Sequence, residues 1–343
     1  MSKFCRNVME RAVYAPLARQ KEDPSVLLGS LFGEDIALVD TGSGLLASHV
    51  DPIVGAAEGL GRLAVHVACN DLAASGVPPQ WLQILVLVPS AEDTEQLRSI
   101  MEEAVEAAGQ AGAVIVGGHS GYSSGLSRPL AAVTAFGKAR KETLVRTSGA
   151  RKGDVICLTR GMGLEGTAIL AWDYPEECRR RGLSKEDVEK AKILAEDLSV
   201  VPEALRLAEL GATAMHDPTR GGVLEAFLEM AWGAKTCFRI QREQLPLLPV
   251  VRNFARAFGF DPLRMISSGA LAVTLPREKV AQASQTIAPW ASLYPVGIVE
   301  EGRGVRISSE SEEVFFSEPE PEKDELARLQ LLLGAPGGEK ERP

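Results

Sequence analysis

Short apolar runs alternate with helical patterns through the first half of the chain. One apolar set recurs at helical spacing, formed by Leu97, Ile100, Met101, Ala104 and Val105. This spacing predicts a helix over residues 93–112, and a similar pattern predicts one over residues 58–74. Apolar runs bounded by glycine and proline predict strands at residues 36–40, 45–50, 84–88, 113–116 and 130–135. The first half is therefore expected to form a mixed α/β layer.

A polar connection containing Gly149 and Gly153 introduces a second unit, whose pattern is α+β. Its predicted elements are strands at residues 154–159, 271–275 and 296–299, and helices at 165–172, 185–210 and 221–231. From about Ser317 the chain is acidic and polar, with a short helical pattern at 324–333, and we expect 334–343 to be disordered. The predicted organisation is a domain at 1–146, a domain at 150–312 and an acidic, polar tail at 317–343.

Composition narrows the function classes. A chain of 343 residues exceeds what one hydrophobic core usually supports, which agrees with two domains. A formal net charge of −9 argues against a nucleic-acid surface, and no apolar run is long enough to span a bilayer. The five cysteines are scattered without a C-x-x-C pair, so neither a disulfide framework nor a zinc site is expected. Residues 1–6 lack the apolar core of a signal peptide. We expect a cytoplasmic protein that binds neither nucleic acid nor membrane.

The sharpest chemical signal is a carboxylate on the apolar side of a predicted helix. Leu60, Ala64 and Val67 form the apolar stripe of that helix, and the next positions at helical spacing are Asn70 and Asp71. A buried carboxylate is rarely left without a partner, because removing the charge from water is costly. Either a hard cation such as Mg²⁺ or an ion pair within the protein would supply that partner.

Two further acids stand where predicted strands begin or end. The turn Gly33-Glu34-Asp35 precedes an apolar strand and points Asp35 at whatever approaches its start, although solvated acids on a turn are the ordinary interpretation. Asp51 lies between an apolar run and Pro52, where an acid is often only a strand terminator. Neither residue requires a ligand by itself.

Paired glycines follow another predicted strand. Gly117 and Gly118 would let the backbone approach a ligand closely, as phosphate-binding loops do. His119 would then lie over that site, although a lone histidine is more often a hydrogen-bonded structural residue.

The segment His216-Asp217-Pro218-Thr219-Arg220-Gly221-Gly222 precedes an apolar helix. Asp217 or Thr219 can cap that helix, and its free N–H groups together with Arg220 can form an anion site. A cap alone would need neither His216 nor Arg220, so the segment favours phosphate binding.

A G-x-G-x-x-G pattern runs from Gly161 to Gly166, after a predicted strand and at the start of a helix, as in dinucleotide-binding proteins. The acid expected about 20 positions later would fall at Glu186 or Asp187, inside a charged helix rather than at a strand end. A nicotinamide-dependent oxidoreductase is therefore kept only as an alternative.

Taken together and in order, these segments resemble the aminoimidazole ribonucleotide (AIR) synthase-related superfamily, which includes AIR synthase, thiamine-monophosphate kinase, selenide water dikinase and the hydrogenase-maturation protein HypE. The HypE-like branch looks closest, and the resemblance covers roughly residues 30–310. The segments that carry it are Gly33-Glu34-Asp35, Asp51-Pro52, Asn70-Asp71-Leu72-Ala73, Gly117-Gly118-His119-Ser120, Gly163-Leu164-Glu165-Gly166-Thr167-Ala168 and Asp217-Pro218-Thr219-Arg220-Gly221-Gly222.

The resemblance implies a two-domain AIR synthase (PurM)-like fold, α/β plus α+β, whose N-terminal mixed sheet pairs across a homodimer. It also implies that ATP binds in a cleft with its phosphates held by Mg²⁺ on acidic residues. The chemistry common to the group is phosphoryl transfer from ATP to an oxygen, here of an unidentified small or protein-borne acceptor. Such catalysis rests mainly on positioning and charge neutralisation.

Carried over to this sequence, the resemblance assigns a role to ten residues. The catalytic residues implied are Asp71, His119 and Arg220. The ATP- and phosphate-binding residues implied are Asp51, Asn70, Gly117, Gly118, Asp217 and Thr219. The metal ligands implied are Asp35, Asp51 and Asp71.

Three departures limit a narrower assignment. HypE carries its substrate on a C-terminal cysteine, whereas this sequence ends Lys340-Glu341-Arg342-Pro343, so we expect no thiocyanate chemistry on its own tail. Many relatives have an acid where this chain has His119, which changes the expected metal shell. Selenide water dikinase is disfavoured because Cys5 is the only cysteine before Gly33. The alternative from another class is a catalytically silent HypE-like scaffold that binds a maturation partner.

Overall fold

The first unit is built on a six-stranded mixed sheet. The computed structural model describes residue 4 and residues 6–30, 34, 36–54 and 59–334. The strands of this unit are β1 (Val26–Leu28), β2 (Ala37–Asp40), β3 (Leu45–Val54), β4 (Trp81–Val88), β5 (Val114–Tyr122) and β6 (Leu130–Ala139). They lie in the order β1-β2-β3-β6-β4-β5, where β4 and β5 are parallel and the other neighbours are antiparallel.

Two long helices, α3 (Leu60–Ala74) and α4 (Thr94–Gln110), cover one face of this sheet. Two short helices, α1 (Arg6–Met9) and α2 (Ala15–Leu17), precede β1. The two long helices that the apolar spacing predicted are confirmed as α3 and α4, and α3 packs on β3 and β6. Gly61 allows α3 and α4 to approach closely, because a Cβ at this position would lie 2.0 Å from the carbonyl oxygen of Ile100.

The second unit is built on a seven-stranded sheet. Its strands are β7 (Val155–Thr159), β8 (Ala214–His216), β9 (Thr236–Gln241), β10 (Ala272–Leu275), β11 (Leu293–Glu301), β12 (Gly304–Ser308) and β13 (Glu313–Phe316), in the order β13-β12-β9-β11-β7-β10-β8. Its helices are α5 (Leu164–Asp173), α6 (Pro175–Arg180), α7 (Lys185–Ile193), α8 (Val201–Glu209), α9 (Gly222–Ala234), α10 (Pro249–Phe258), α11 (Val280–Ile287) and α12 (Glu325–Leu333). The prediction of a mixed α/β unit followed by an α+β unit is confirmed.

The single helix predicted over residues 185–210 is wrong. The chain forms two helices, α7 and α8, separated by residues 194–200. Pro202 stands in the first turn of α8, where a proline starts a helix but cannot continue one. Arg160 lies beside the break, and its guanidinium donates to the carbonyl oxygens of Asp197 (2.6 Å) and Ser199 (2.8 Å). A distant side chain therefore satisfies backbone groups that a continuous helix would have bonded internally.

The same break joins the two units. Asn70 on α3 is fully buried, and its Nδ2 donates to the carbonyl oxygen of Leu198 (2.8 Å). Its Oδ1 accepts a hydrogen bond from the N–H of Val200 (2.9 Å). Both ends of the amide thus fix the first unit against residues 198–200 of the second.

The segment after Ser317 folds back on the second unit. It contains α12 at the predicted position, and Leu326 and Leu329 are 1% and 2% exposed within an apolar cluster shared with α5, α7 and α10. Of the stretch expected to be disordered, residues 335–343 lie outside the described residues. Within the described ranges, no helix combines the length and apolarity that crossing a membrane requires.

Replacement of Asn70 by alanine should lower the free energy of unfolding by about 3 kcal/mol. Two hydrogen bonds are lost, and the buried carbonyl of Leu198 and N–H of Val200 lose their Asn70 partner. Urea unfolding monitored by circular dichroism measures this change. Asn253→Ala is the matched control, since the Asn253 amide makes an exposed hydrogen bond to Asp187, and it should cost less than about 1 kcal/mol. Equal losses in the two variants would contradict the role of Asn70 between the units.

Candidate functional site

Packing of α3 across β3 places Asp71 beside two polar residues of that strand. Asp71 is 5% exposed, and its Oδ2 lies 3.0 Å from Nε2 of His49. His49 and Asp51 are two positions apart on β3, so both point to the face of the sheet that α3 covers. The carboxylate is therefore buried, as its helical position predicted. Its histidine partner had no signal in the sequence, because a strand residue 22 positions away cannot be paired by periodicity.

Asp217 brings a second buried carboxylate to this place from the other unit. It follows β8, is fully buried, and neither carboxylate oxygen has a hydrogen-bond partner in the part of the chain that the structure describes. His216 lies next to it, with Nδ1 3.7 Å from Oδ1 of Asp217 and Nε2 2.6 Å from Oε2 of Glu229 on α9. Burial raises the pKa of Asp217, but His216, Asp71 and His49 together lower it further, so the net pKa lies below its ordinary value.

The three predicted metal ligands differ in what can be said of them. Asp51 and Asp71 lie on the same side of the first sheet, whereas Asp35 falls outside the described residues and stays a prediction. Among residues 6–30, 36–54 and 59–334, no three acidic, histidine or cysteine side chains form a ready-made metal cluster. A Mg²⁺ site made of one or two carboxylates and substrate phosphates does not need such a cluster.

The turn before α9 differs from its predicted capping. Gly221, with φ of 83°, is the N-cap residue and no side chain caps the helix, so neither Asp217 nor Thr219 serves as its cap. Thr219 instead accepts a backbone hydrogen bond from Gly222 (3.0 Å). The N–H of Gly221 donates to Oδ2 of Asp324 (2.9 Å), a residue of the C-terminal segment.

Arg220 also faces this C-terminal carboxylate, with Nη1 3.8 Å from Oδ1 of Asp324. Both groups are largely withdrawn from solvent, at 17% and 0% side-chain exposure. The anion position that the sequence predicted at this turn therefore holds an acid of the chain itself. Neither Thr219 nor Arg220 signalled this in the sequence, because Asp324 lies more than 100 positions away.

One glycine of the pair on β5 has a structural role, and the predicted role of the pair in ligand binding stays a prediction. At Gly118 a Cβ would lie 1.8 Å from the carbonyl oxygen of Ile84, so only glycine permits this pairing of β4 and β5. At Gly117 no atom of the described residues, apart from its two chain neighbours, lies within 4 Å of a Cβ, so a ligand has room to approach.

His119 is not brought to Asp71 within one chain. It is exposed on β5 and lines an open cavity of about 370 Å³ with Val50 and Thr134. Val50 alternates with His49 and Asp51 along β3, so this cavity lies on the opposite face of the sheet from α3. A catalytic role for His119 beside Asp71 would therefore need a second chain.

Glu165, at the start of α5, is a site residue that the sequence did not single out. It is 3% exposed, and its Oε2 has no hydrogen-bond partner among the described residues. Burial raises its pKa to about 7; Ser268 and Arg220 oppose this, while the charges of Asp324 and Asp51 add to it. These influences place Glu165 among the charges of both units. A buried acid inside a glycine motif was the available signal.

The glycines around Glu165 pack against protein rather than binding a dinucleotide. A Cβ at Gly166 would lie 2.2 Å from the sulfur of Met265. The preceding strand, β7, pairs with β10 and β11, both antiparallel. The G-x-G-x-x-G pattern therefore does not lie in the parallel βαβ unit of dinucleotide-binding folds, and the observation behind the oxidoreductase alternative is removed.

Replacement of Glu165 by glutamine should stabilise the protein at pH 8 but not at pH 4.5. The folded chain holds the proton up to a pKa of about 7, compared with an ordinary value of 4.5. Stability is therefore lost as the pH rises from 4.5 to 7, and the variant should recover about 3 kcal/mol above that window. Urea unfolding at the two pH values tests this, with the exposed Glu243→Gln as control. A gain that is the same at both pH values would contradict the raised pKa.

Comparison with known proteins agrees with the fold and the ordered motifs. The sequence matches the family described as AIR synthase related protein, with the N-terminal domain at residues 33–139 and the C-terminal domain at residues 151–310. Carbamoyl dehydratase HypE of Cupriavidus necator is 29% identical, over 66% of this chain and 62% of its own length. Selenide, water dikinase of Geobacter sp. strain M21 is 31% identical, over 68% of this chain and 66% of its own length. The chain thus spans slightly less than two thirds of these curated relatives.

Solved structures show the same fold over a longer stretch. The hydrogenase maturation protein HypE in complex with ATP has a TM-score of 0.70 at 22% identity, covering 93% of this chain and 97% of that one. A ThiL protein complexed with AMPPCP and TMP has a TM-score of 0.72 at 18% identity, covering 92% and 98%. With both domains matched in order and the fold shared along nearly the whole chain, this protein belongs to the AIR synthase related protein family.

Proposed function

We propose that this chain is an ATP-using enzyme that binds Mg²⁺ and transfers a phosphoryl group to an oxygen of its acceptor. The observation that carries the proposal is Asp217, a fully buried carboxylate whose oxygens lack a hydrogen-bond partner within the described ranges. Asp71 from the other unit lies near enough to influence its pKa. An arrangement of this kind is costly unless a cation joins it.

The residues at this place fit a hard cation. Mg²⁺ prefers oxygen ligands and is usually held by one or two carboxylates together with substrate phosphates. Asp51, Asp71 and Asp217 would hold it, with Asp35 as the fourth acid. Bound Mg²⁺ would neutralise the phosphate charge that these acids would otherwise repel. Asn70 acts on the site indirectly, because its amide fixes the two units that carry the acids.

The similar proteins support nucleotide use and leave the acceptor open. One structural neighbour is in complex with ATP and another with AMPPCP. Relatives are called a carbamoyl dehydratase and a selenide, water dikinase, names that indicate different acceptors. We therefore assign the shared step, phosphoryl transfer from ATP, and take the acceptor to be an oxygen of a small or protein-borne substrate.

Calorimetry should detect ATP binding that depends on Mg²⁺, and Asp71→Asn should weaken it by about tenfold or more, because a metal ligand loses its charge. Asp40→Asn is the matched control: Asp40 is an exposed acid on the neighbouring strand β2 and should leave the affinity unchanged. Absence of Mg²⁺-dependent binding in the unaltered protein would overturn the proposal.

The scaffold alternative predicts partner binding without ATP turnover, so ATPase measurements with candidate acceptors distinguish the two.

The long edge strand supports the predicted homodimer. β5 is the last strand of its sheet and exposes Val114 (63%), Val116 (57%) and Tyr122 (66%). An unpaired strand with exposed apolar side chains tends to pair with another chain. We take the occupant to be a second copy, which would also place His119 against the partner subunit and its site.

Val116→Lys should convert the dimer to a monomer, because a charge on the edge strand opposes pairing. Sedimentation velocity measures the mass of each form. Val105→Lys is the control, since Val105 is 60% exposed on α4 and away from the edge strand. A dimer that persists in the Val116 variant would exclude pairing through β5.

A further inference from the structure

The N-terminus of α9 is occupied by a carboxylate from the end of the chain. Oδ2 of Asp324 accepts from the N–H of Gly221 (2.9 Å), and Oδ1 accepts from the N–H of Ala327 (2.7 Å), which caps α12. The same Oδ1 lies 3.8 Å from Nη1 of Arg220. One carboxylate thus joins the turn before α9, its arginine and the first turn of α12.

The segment that carries Asp324 is anchored rather than loosely placed. Leu326 and Leu329 are buried, and Pro321 is also buried. Oε2 of Glu320 lies 2.7 Å from Nη2 of Arg264. The backbone N–H of Glu320 donates to Oε2 of Glu225 (2.9 Å). Removal of Asp324 from α9 would expose this apolar surface and break these polar contacts, so a phosphate does not simply displace it.

The position is also chemically unsuited to a second anion. Arg220 supplies one positive charge and Asp324 one negative charge. Glu165 is a second acid nearby, whose pKa is raised mainly by burial and further by the charge of Asp324. A phosphate placed at the N-terminus of α9 would meet these acids with the arginine already engaged. Within the described residues, Nη1 of Arg220 has no hydrogen-bond partner, so the side chain is held by charge and keeps a donor available.

We propose that Asp324 is a positioning residue of the site: it fills the anion position at the N-terminus of α9 and holds Arg220 in place. Residues 317–334 lie beyond residue 310, where the match to the family's C-terminal domain ends. The contact itself does not depend on the proposed function. One consequence rests on the proposed function: the nucleotide phosphates bind, through Mg²⁺, at Asp51, Asp71 and Asp217 and not at the N-terminus of α9.

Chemical rescue of Asp324→Ala tests the proposal. This variant leaves a space the size of a carboxylate, so its thermal midpoint should fall and then rise with added formate, compared with chloride at equal ionic strength. Its affinity for Mg²⁺-ATP should fall about tenfold, because Arg220 loses the carboxylate that holds its available Nη1 donor in place, and it should recover in formate. Asp324→Asn should show the loss without the rescue, because its amide fills the space.

Two control variants separate positioning from a general structural role. Glu322→Ala removes an exposed acid two residues away and should change neither midpoint nor affinity. Leu326→Ala loosens the same segment and should lower the midpoint without any response to formate.

A thermal midpoint of Asp324→Ala that does not change with formate would overturn the proposal. If the unaltered protein fails to bind Mg²⁺-ATP, the proposed function falls, but formate rescue of the midpoint still decides the role of Asp324. Should Asp324→Ala not fold, Mg²⁺-ATP affinity of Asp324→Asn equal to that of Glu322→Ala would overturn it.

Discussion

The rest of the structure depends on buried acids at the boundary between the two units. Asp71 comes from a helix of the first unit and Asp217 from a strand end of the second, and each lies beside a histidine. A buried carboxylate with neither cation nor donor costs several kcal/mol. The imidazoles compensate part of this cost, and under the proposed function a bound cation would compensate more. Because the members come from both units, the site exists only while the two units keep one relative position.

That relative position is fixed by a break between α7 and α8. Asn70, which directly precedes Asp71 in sequence, forms hydrogen bonds to Leu198 and Val200 through the two ends of its amide. Arg160 holds the same loop while adopting φ of 54°, a conformation that costs energy for a residue with a side chain. Its guanidinium is held there by Asp197, Ser199 and the carboxylate of Glu203, to which Nη2 of Arg160 donates (2.9 Å). The interruption that looks like an irregular helix is therefore what aligns the acids of one unit with those of the other.

Local patterns predicted the parts of this arrangement that are local. The burial of Asp71 followed from its helical spacing with Leu60 and Val67, and the order of motifs identified the fold. The broken helix was missed although Pro202 is a local signal for it; the contacts of Arg160 and Asn70 that hold the break come from far away in sequence. Glu165 was read only as part of a glycine motif, and Asp324 only as part of a polar tail, since neither contact has a sequence period. Asp35 carries no structural test, and its role rests on resemblance.

The charges explain why the metal and the nucleotide belong together under the proposed function. The chain carries a net charge of −9, and its site gathers acids from both units. A nucleoside triphosphate without bound metal is therefore repelled as it approaches the site. Arg220 is the cation best placed to offset this, yet Asp324 already engages it. The protein therefore offers phosphates almost no uncompensated positive charge of its own at this place. A divalent cation carried on the nucleotide reverses the sign of the interaction, because the same acids that repel the free anion then become ligands. Under the proposed function, selectivity for the metal-bound nucleotide would follow from the placement of the carboxylates, and Asp324 would contribute by holding Arg220 in place.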